Sequence, residues 1–316
     1  MFFEVDVPKR FEIKDRYDIV VIGGGPAGLT AAIYARRAGL SVLVVEKTLE
    51  GGYVNFTHLV ENYPGFPKIK GEELASRFKE HAESFGAEFV NAEAIKLEVK
   101  ADKKIVELDN GKKVEAPVVI VATGANPKRL NVPGEKEFFG RGVSYCATCD
   151  GYLFTGKDIV IVGGGDSACD EAMFLVNLVN RITMVQLLET LTAAKVLQDR
   201  VLSHPKIEVI YNSTVKEIRG KEKVEEVVVE NVKTGEQKVL KTDGVFIFIG
   251  LNPNSKLVEG LVEIDPYGYI VTDENMETRV KGLYAIGDVR RKNLRQIVTA
   301  VADGAIAVEH AAKHYF

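Results

Sequence analysis

The chain has 316 residues, which is enough for two domains, because a single hydrophobic core rarely grows beyond ~250–300 residues. Hydrophobic residues make up 46% of the sequence and charged residues 27%, as in a folded globular protein. A net charge of -4 without a basic stripe argues against nucleic acid or a membrane surface as partner. No apolar run approaches the roughly 18 residues of a membrane span and no secretory leader is recognisable, so a cytoplasmic location is expected.

The first predicted unit is the segment YDIVVIGGGPAGLTAAIYARRAG, a strand that leads through three glycines into a helix. Its β-branched run is typical of a parallel strand buried on both faces. Gly23, Gly25 and Gly28 have the spacing of a dinucleotide-binding turn, where the backbone approaches a pyrophosphate at a helix N-terminus. Glu46 ends the next predicted strand, 42–46, where a carboxylate can accept hydrogen bonds from a ribose diol. The alternative is a turn that only shapes the fold.

The rest of the chain alternates between further strands and helices. Strands are predicted at 104–108, 118–123, 182–186, 208–211, 224–231, 244–249 and 284–285, and helices at 71–85, 194–204 and 296–314. The helices have apolar residues at spacings of three and four. This alternation predicts an α/β fold with parallel sheets.

Two segments rich in glycine, asparagine and proline mark the domain boundaries, ATGANPKRLNVPG at 122–134 and IGLNPNSK at 249–256. Each directly follows an apolar strand, where turn residues end the strand. We therefore predict two Rossmann-like domains, one discontinuous domain at 1–127 and 255–316 and a second at 128–254 inserted into it. Two short crossings would let the inserted domain rotate.

Two of the three cysteines, Cys146 and Cys149, lie close together in the segment SYCATCDGY. In a reducing compartment such a pair is typical of redox or metal chemistry rather than of a structural staple. A C-x-x-C turn can close reversibly to a disulfide, and its thiolate can attack another disulfide. Asp150 follows directly and can either move a proton as the thiols form or cap a helix.

Zinc binding is the alternative interpretation of the cysteine pair. A zinc site needs four ligands, and only Cys169 and five histidines could complete it, among them His310 and His314 one helical turn apart. We expect Cys169 to be a small buried side chain within a helix and the two histidines to lie on an exposed terminal helix. The redox interpretation is favoured, because two dinucleotide motifs on one chain suggest flavin in the first and a nicotinamide nucleotide in the second.

The strand, glycine turn and helix return in KDIVIVGGGDSACDEAMFLVNLV. The residues predicted to hold the nicotinamide nucleotide are Gly163, Gly165, Asp166, Ser167, Ala168 and Glu171. The following strand leads into Gln186, Leu187 and Leu188, with no basic residue before Lys195. A 2′-phosphate requires arginines there, so the segment argues against a strong preference for NADPH. NADH, or a retained fold without nucleotide, is the expected alternative.

Six motifs together resemble one protein family. They are GGGPAG at 23–28, VENYPGFP at 60–67, VATGA at 121–125, CATCDG at 146–151, GGGDSA at 163–168 and AIGDV at 285–289. The chain resembles the low-molecular-weight thioredoxin reductases of bacteria and archaea, which are FAD-dependent pyridine nucleotide-disulfide oxidoreductases. The likeness extends from about residue 17 to the C-terminus, and its specificity comes from the position of CATCDG between two nucleotide motifs.

The resemblance implies a homodimer with bound FAD, NADH or NADPH as reductant, and thioredoxin or a glutaredoxin-like disulfide protein as electron acceptor. The implied FAD site comprises Gly23, Gly25, Pro26, Ala27, Gly28, Glu46, Lys47, Gly51, Gly52, Tyr53, Asn62, Thr123, Gly124, Gly287, Asp288, Arg295, Gln296 and Ile297. It also implies that Cys149 faces the flavin, that Cys146 attacks the partner's disulfide, and that Asp150 donates the proton. The inserted domain would rotate, since nicotinamide and cysteines take turns at one flavin face.

Two departures from the family pattern leave alternatives open. The basic stretch that binds NADPH is replaced by QLLETLT at 186–192, and Tyr53 stands where a glutamine is usual. A reductase of the same architecture that uses another donor, such as ferredoxin, therefore remains a rival. So do an NADH oxidase that serves a peroxiredoxin and a nucleotide-sensing protein without catalytic activity.

Overall fold

The computed structural model describes residues 13–57, 60, 62–101 and 103–316. In these residues the strands are β1 (Ile19–Ile22), β2 (Val42–Glu46), β3 (Glu88–Asn91), β4 (Ala94–Val99), β5 (Lys104–Leu108), β6 (Lys113–Ala116), β7 (Val118–Val121), β8 (Ala125–Pro127), β9 (Val143–Ser144), β10 (Asp158–Val162), β11 (Arg181–Val185), β12 (Ile207–Ile210), β13 (Ser213–Gly220), β14 (Val224–Asn231), β15 (Gln237–Lys241), β16 (Gly244–Ile247), β17 (Leu251–Pro253) and β18 (Leu283–Ala285). The α-helices are α1 (Pro26–Arg37), α2 (Gly71–Ser84), α3 (Ala147–Asp150), α4 (Asp166–Leu175), α5 (Lys195–Ser203) and α6 (Ile297–Tyr315).

The chain divides into two compact units. The first comprises the residues up to Gly52, Ala75–Gly124 and Asn254–Phe316, and the second comprises Tyr53–Leu74 and Ala125–Pro253. The assignment of one cofactor to each of two domains stays a prediction. No helix in the described part of the chain is long and apolar enough to cross a membrane.

The first unit is built on a parallel sheet in the order β18-β7-β1-β2-β3. Alternate residues of β1 serve its two faces. Ile19 and Val21 pack in one cluster with residues of α1 and α6, whereas Val20 and Ile22 pack in another with residues of β5 and β6. Both faces of the central strand are therefore dry, which is why its sequence is a continuous apolar run.

The second unit repeats this plan, with a parallel sheet in the order β12-β11-β10-β16-β9. Ile159 and Ile161 of β10 pack with α4, while Val160 and Val162 pack with β13 and β14. In each unit, the central strand ends at the three-glycine turn. The glycine motif therefore lies at the carboxyl edge of a parallel sheet, where α/β proteins bind their ligands.

The predicted α/β fold is confirmed, and each predicted helix is within one residue of its observed ends. Two strand ends were predicted wrongly: β7 ends at Val121 and β16 ends at Ile247, each two residues before its predicted end. The residues beyond these ends leave the ladder to form the turns that follow. The structure also contains the antiparallel sheets β4-β5-β6 and β13-β14-β15, of which only the central strands β5 and β14 were predicted.

Candidate functional site: two glycine cradles and a disulfide

The two neighbouring cysteines form a disulfide in the structure, with their Cα atoms 5.3 Å apart. Ser144 ends β9, and the chain then turns so that Cys146 becomes the N-cap residue of the short helix α3. The backbone N–H of Cys149 donates to Cys146 Sγ at 3.2 Å, and Thr148 Oγ1 lies 3.5 Å from the same sulfur. These two donors can stabilise a thiolate on Cys146, which is the form that attacks a disulfide.

The carboxylate of Asp150 is held close to the redox turn. Its Oδ2 accepts a hydrogen bond of 2.5 Å from the hydroxyl of Ser144. No side-chain hydrogen bond from Asp150 caps the 3-10 turn Gly151–Phe154 that follows. The helix-capping alternative is therefore not realised, and the acid-base role of Asp150 stays a prediction.

A small cleft of about 40 Å³ opens beside the disulfide. Its wall is largely aromatic: the rings of Tyr53, Phe139 and Tyr145 follow one another at centroid distances of 6.4 and 5.6 Å. Burial raises the pKa of Tyr53 to about 12, and burial together with a hydrogen bond to Glu135 raises that of Tyr145 further. Both phenols are therefore protonated at neutral pH.

The first glycine turn forms an open cradle. Gly23 has a φ of +109° and its N–H donates to Val45 O, which fixes the tight turn after β1. Apart from its chain neighbours, no atom of the described residues lies within 4 Å of the Cβ position at Gly25, whereas a Cβ at Gly28 would lie 2.0 Å from Gly23 O. The backbone at Gly25 is thus free for close approach by a pyrophosphate, and Gly28 allows α1 to pack on the turn.

Glu46 is anchored to this cradle. One carboxylate oxygen accepts from Gly24 N–H at 2.8 Å, and the other accepts from the N–H and the hydroxyl of Thr48 at 2.9 Å. A carboxylate has about four acceptor positions, so at least one remains for a ribose hydroxyl. Lys47 instead extends to Glu93, with 3.4 Å between Nζ and Oε1.

Asp288 and Arg295 present unused polar atoms in the first unit. Asp288 Oδ1 and Arg295 Nε are buried and have no hydrogen-bond partner among the described residues. Burial raises the pKa of Asp288, and Lys292 Nζ lies 3.9 Å from the orphaned oxygen. Buried polar groups are normally satisfied, so an acceptor and a donor left over indicate a polar ligand. A phosphate-bearing polyol such as the ribityl pyrophosphate of FAD fits this donor and acceptor set.

Asp303 on α6 is a buried residue that the sequence analysis missed. Its Oδ2 accepts from Gly287 N–H at 2.9 Å and from Lys292 Nζ at 3.0 Å, and Arg290 Nε lies 3.4 Å away. It thereby ties the turn at Gly287, which has a φ of +72°, to the last helix. No local motif signals this role, because Asp303 is far from that turn in sequence.

The remaining candidates for FAD lie in both units. Pro26 and Ala27 begin α1, Ile297 begins α6, and Gln296 caps α6 together with Thr299. The Gly51 N–H donates to Gly24 O, and a Cβ at Gly52 would lie 3.3 Å from Gly25 Cα. Thr123 Oγ1 donates to Asn254 O, and Gly124 has a φ of +68°. Tyr53 and Asn62, in contrast, belong to the segment that groups with the second unit.

The second glycine turn has the same backbone plan. Gly163 has a φ of +129°, and the Cβ position at Gly165 has its nearest atom, Thr192 Oγ1, at an ordinary 3.6 Å. Ala168 is buried behind the turn, and Asp166 and Ser167 are exposed at its front. Asp166 Oδ1 accepts from Ala194 N–H at 2.6 Å.

Glu171 lies one turn further along α4. Burial raises its pKa to about 7, and the neighbouring Asp170 adds to the increase.

The segment after β11 differs from its counterpart after β2. Gln186 is buried over Gly164, and its Nε2 donates to Thr190 O at 2.8 Å. Leu187 and Leu188 are about half exposed, at 54% and 51%. The segment therefore presents two half-exposed apolar side chains and no arginine directly after Gln186.

Cys169 is fully buried, as predicted, and burial raises the pKa of its thiol to about 11. The prediction of two exposed histidines was wrong for His310, which is partly buried and whose Nδ1 lies 2.8 Å from the hydroxyl of Tyr284 in β18. His314 is exposed and stacks on His310. No group of metal-ligating side chains is found in the described ranges.

Two Rossmann units on one chain, with a cysteine pair between their glycine motifs, define an oxidoreductase that works through a disulfide. The chain belongs to the pyridine nucleotide-disulphide oxidoreductase family, whose model matches residues 17–304. Within it, the thioredoxin reductase of Bacillus subtilis is 47% identical over 300 residues, which cover 95% of this chain and 94% of the relative.

Solved structures agree with this relationship. The thioredoxin reductase from Streptococcus pyogenes is 46% identical, with a TM-score of 0.90 and coverage of 96% of this chain and 99% of that one. The thioredoxin reductase from Giardia duodenalis also has a TM-score of 0.90, at 35% identity and the same coverage. The resemblance to thioredoxin reductases inferred from the motifs is confirmed.

Proposed function

We propose that this protein is a thioredoxin reductase. It takes electrons from a reduced nicotinamide nucleotide and delivers them through FAD and the Cys146–Cys149 pair to thioredoxin or a similar disulfide protein. The observation that carries the proposal is the disulfide itself, closed in a turn whose sulfur faces two hydrogen-bond donors and whose next residue is an anchored carboxylate. Relatives named thioredoxin reductase match nearly the whole chain, which supports the assignment.

Two features of the first unit fit FAD. The backbone at Gly25 is open to a pyrophosphate, and the buried Asp288 Oδ1 lacks a hydrogen-bond partner among the described residues. Bound there, it would accept two electrons from the nucleotide and supply them to a disulfide. The chain would contribute the positioning: the N-terminus of α1 would hold the pyrophosphate, Glu46 would hold a ribose, and Asp303 holds the turn that presents Asp288.

The cysteines carry the electrons onward by thiol exchange. Reduction of the disulfide requires two electrons and two protons; Cys149 would be the thiol on the flavin side, as the resemblance implies, and Cys146 the attacking thiol. The Cys149 N–H and the Thr148 hydroxyl stabilise the Cys146 thiolate, and Asp150 takes up and returns the exchanged proton.

NADH is the proposed reductant, because Leu187 and Leu188 offer a 2′-phosphate no charge-assisted hydrogen bond. Close to these leucines, Lys233 Nζ lies 2.9 Å from Glu189 Oε2. The charge of this lysine is therefore already paired with a carboxylate rather than available to a phosphate. The same exposed leucines favour the second candidate, a reductase of this architecture fed by a protein donor such as ferredoxin.

Anaerobic stopped-flow titration of the purified flavoprotein distinguishes the donors. NADH should bleach the flavin at lower concentration than NADPH, and thioredoxin should then reoxidise it. No bleaching by either nucleotide, with full bleaching by reduced ferredoxin, would replace the proposal by the second candidate. Turnover on oxygen that equals turnover on thioredoxin would indicate an oxidase instead.

We further propose a cytoplasmic homodimer, as the resemblance implies. Light scattering on the eluted flavoprotein tests the stoichiometry, and a monomer that retains full turnover would contradict it. Cys169→Ala is the matched control for variants of the redox pair, since Cys169 is buried in α4 and lies apart from the disulfide in sequence.

A further inference from the structure

Ser144 lies at the centre of the redox turn, although no sequence motif assigns it a role. It is the last residue of β9 and is only 2% exposed. Its Oγ accepts from the Cys146 N–H at 3.1 Å and lies 2.5 Å from Asp150 Oδ2 and 3.3 Å from Cys146 O. One hydroxyl proton therefore faces two acceptors.

The two acceptors correspond to two protonation states of Asp150. A serine hydroxyl has one donor and two acceptor positions. When Asp150 is ionised, Ser144 donates to its Oδ2 and accepts from Cys146 N–H. When Asp150 carries a proton, it donates that proton's hydrogen bond to Ser144 Oγ, and the serine hydroxyl rotates to Cys146 O. Ser144 Oγ, Asp150 Oδ2 and the Cys146 N–H each keep a hydrogen-bond partner in both states, so neither state leaves one of these groups unsatisfied.

We propose that Ser144 is a positioning residue whose hydroxyl rotates between Asp150 and Cys146 O, so that Asp150 can gain and lose a proton without leaving the disulfide. This inference rests on the proposed function, because it assigns the proton path of the same thiol exchange. It requires no movement of the backbone, since Asp150 Oδ2, Cys146 O and the Cys146 N–H all lie within hydrogen-bond distance of Ser144 Oγ in one conformation.

The rotation serves a thiol–disulfide exchange between the cysteine pair and the partner's disulfide. The Cys146 thiol gives its proton to the Asp150 carboxylate, and the thiolate attacks one sulfur of the partner's disulfide, forming a mixed disulfide and releasing a partner thiolate. Asp150 returns its proton to that thiolate. Cys149 then loses its proton to the second partner sulfur as its own sulfur attacks Cys146, which closes the Cys146–Cys149 disulfide. Two electrons and two protons pass to the partner.

The other groups around Asp150 remain fixed in charge at neutral pH. Tyr53 and Tyr145 line the same cleft, and the raised pKa of each phenol keeps it protonated. Arg129 acts electrostatically on both tyrosines and lowers the pKa of each, against the larger effect of burial. Among the described residues that line the cleft, Asp150 is the one carboxylate beside the two cysteines.

Ser144→Ala tests the proposal through the pH profile of kcat/KM for thioredoxin. Without the Ser144 hydroxyl, the ionised carboxylate of Asp150 loses more hydrogen-bond stabilisation than the protonated carboxyl group does. The acidic limb of the pH profile should therefore move up by about one pH unit, and kcat/KM should fall about tenfold. Reduction of ferricyanide, which takes electrons from flavin without the cysteines, should stay at the wild-type rate. Should Ser144→Ala fail to retain FAD, Ser144→Gly removes the same hydroxyl and gives the same comparison.

Three matched variants separate positioning from general damage. Ser144→Thr retains the hydroxyl and should restore the wild-type limb. In an Asp150→Asn background, Ser144→Ala should have no further effect on kcat/KM, because Ser144 acts only through the carboxylate of Asp150, which that background already lacks. Ser213→Ala removes another buried hydroxyl of the second unit, which donates to Tyr211 O at 2.8 Å, and should leave the profile unchanged.

An unshifted acid limb in Ser144→Ala, or additive losses in the double variant, would overturn the role of Ser144. Failure of the proposed function has a different signature. The wild-type flavoprotein would then reduce ferricyanide but transfer no electrons to thioredoxin at any pH.

Discussion

Gly25→Ala separates the binding of FAD from the stability of the fold. Gly25 has φ −75° and ψ −177°, which alanine adopts without strain, and in the part of the chain that the structure describes only its chain neighbours lie within 4 Å of the added Cβ. The smaller entropy of the unfolded chain favours alanine by ~0.4–1 kcal/mol, and its poorer helix capping opposes this by a few tenths. The free energy of unfolding of the apoprotein should therefore change by less than about 1 kcal/mol.

The same methyl group occupies the space through which a pyrophosphate reaches the backbone. Holding the phosphate away from the N-terminus of α1 should cost at least one charge-assisted hydrogen bond, worth ~1.5–3 kcal/mol. Each 1.4 kcal/mol is about tenfold in affinity, so the Kd for FAD should rise by roughly 10- to 100-fold.

The assay is a fluorescence titration of apoprotein with FAD, paired with thermal unfolding followed by circular dichroism. Gly28→Ala is the contrasting control, because its Cβ would lie 2.0 Å from Gly23 O, and it should lose ~2–3 kcal/mol of stability as well as FAD. Gly165→Ala is the matched control in the second unit, where the nearest atom is 3.6 Å away. It should keep FAD and lose affinity for the nicotinamide nucleotide.

Wild-type affinity for FAD in Gly25→Ala would refute the close approach at this glycine. A large loss of apoprotein stability in that variant would refute the open cradle itself.

Three further predictions follow from the site. Cys146→Ser and Cys149→Ser should abolish turnover on thioredoxin while the flavin absorbance is retained, and wild-type turnover in either would contradict the redox role. Leu187→Arg combined with Leu188→Arg should lower KM for NADPH about tenfold or more, through charge-assisted bonds to the phosphate, with KM for NADH nearly unchanged. Glu171, with a pKa raised from 4.5 to about 7 by burial, retains a proton in the fold that the unfolded chain releases, so its contribution to stability is lost as pH rises through that range. Glu171→Gln should flatten this fall in Tm between pH 5 and 7, and an identical slope in both proteins would contradict it.

The parallel sheets could be predicted from sequence because their central strands are dry on both faces. Ile19–Ile22 and Asp158–Val162 are nearly continuous apolar runs that end at glycine turns. The antiparallel sheets were largely missed, because strands such as Ala94–Val99 and Gln237–Lys241 are largely exposed, and lysine interrupts their apolar residues. These sheets nevertheless cover the second face of each parallel sheet.

The chemistry of the cysteine pair could be predicted from residue types at fixed spacing, whereas its supporting residues could not. Ser144 is one of many serines, and only the turn of the chain brings its hydroxyl to Asp150. Asp303 meets Gly287 and Lys292 because α6 returns to the edge of the sheet. Contacts of this kind depend on tertiary packing, for which a single sequence carries no periodic signal.

Glu46 and Gln186 show how one backbone plan can serve two nucleotides. Val45 pairs with Ile22 and Val185 pairs with Val162, so the residue that follows each pair lies at the same place beside its glycine turn. Glu46 accepts from the N–H of Gly24, whereas Gln186 turns its amide to Thr190 O and packs on Gly164. The carboxylate gives the first site a charged acceptor for a ribose diol and would repel a 2′-phosphate. The neutral amide neither repels nor pairs a phosphate, so under the proposed function Leu187 and Leu188 would decide the discrimination between NADH and NADPH at the second site.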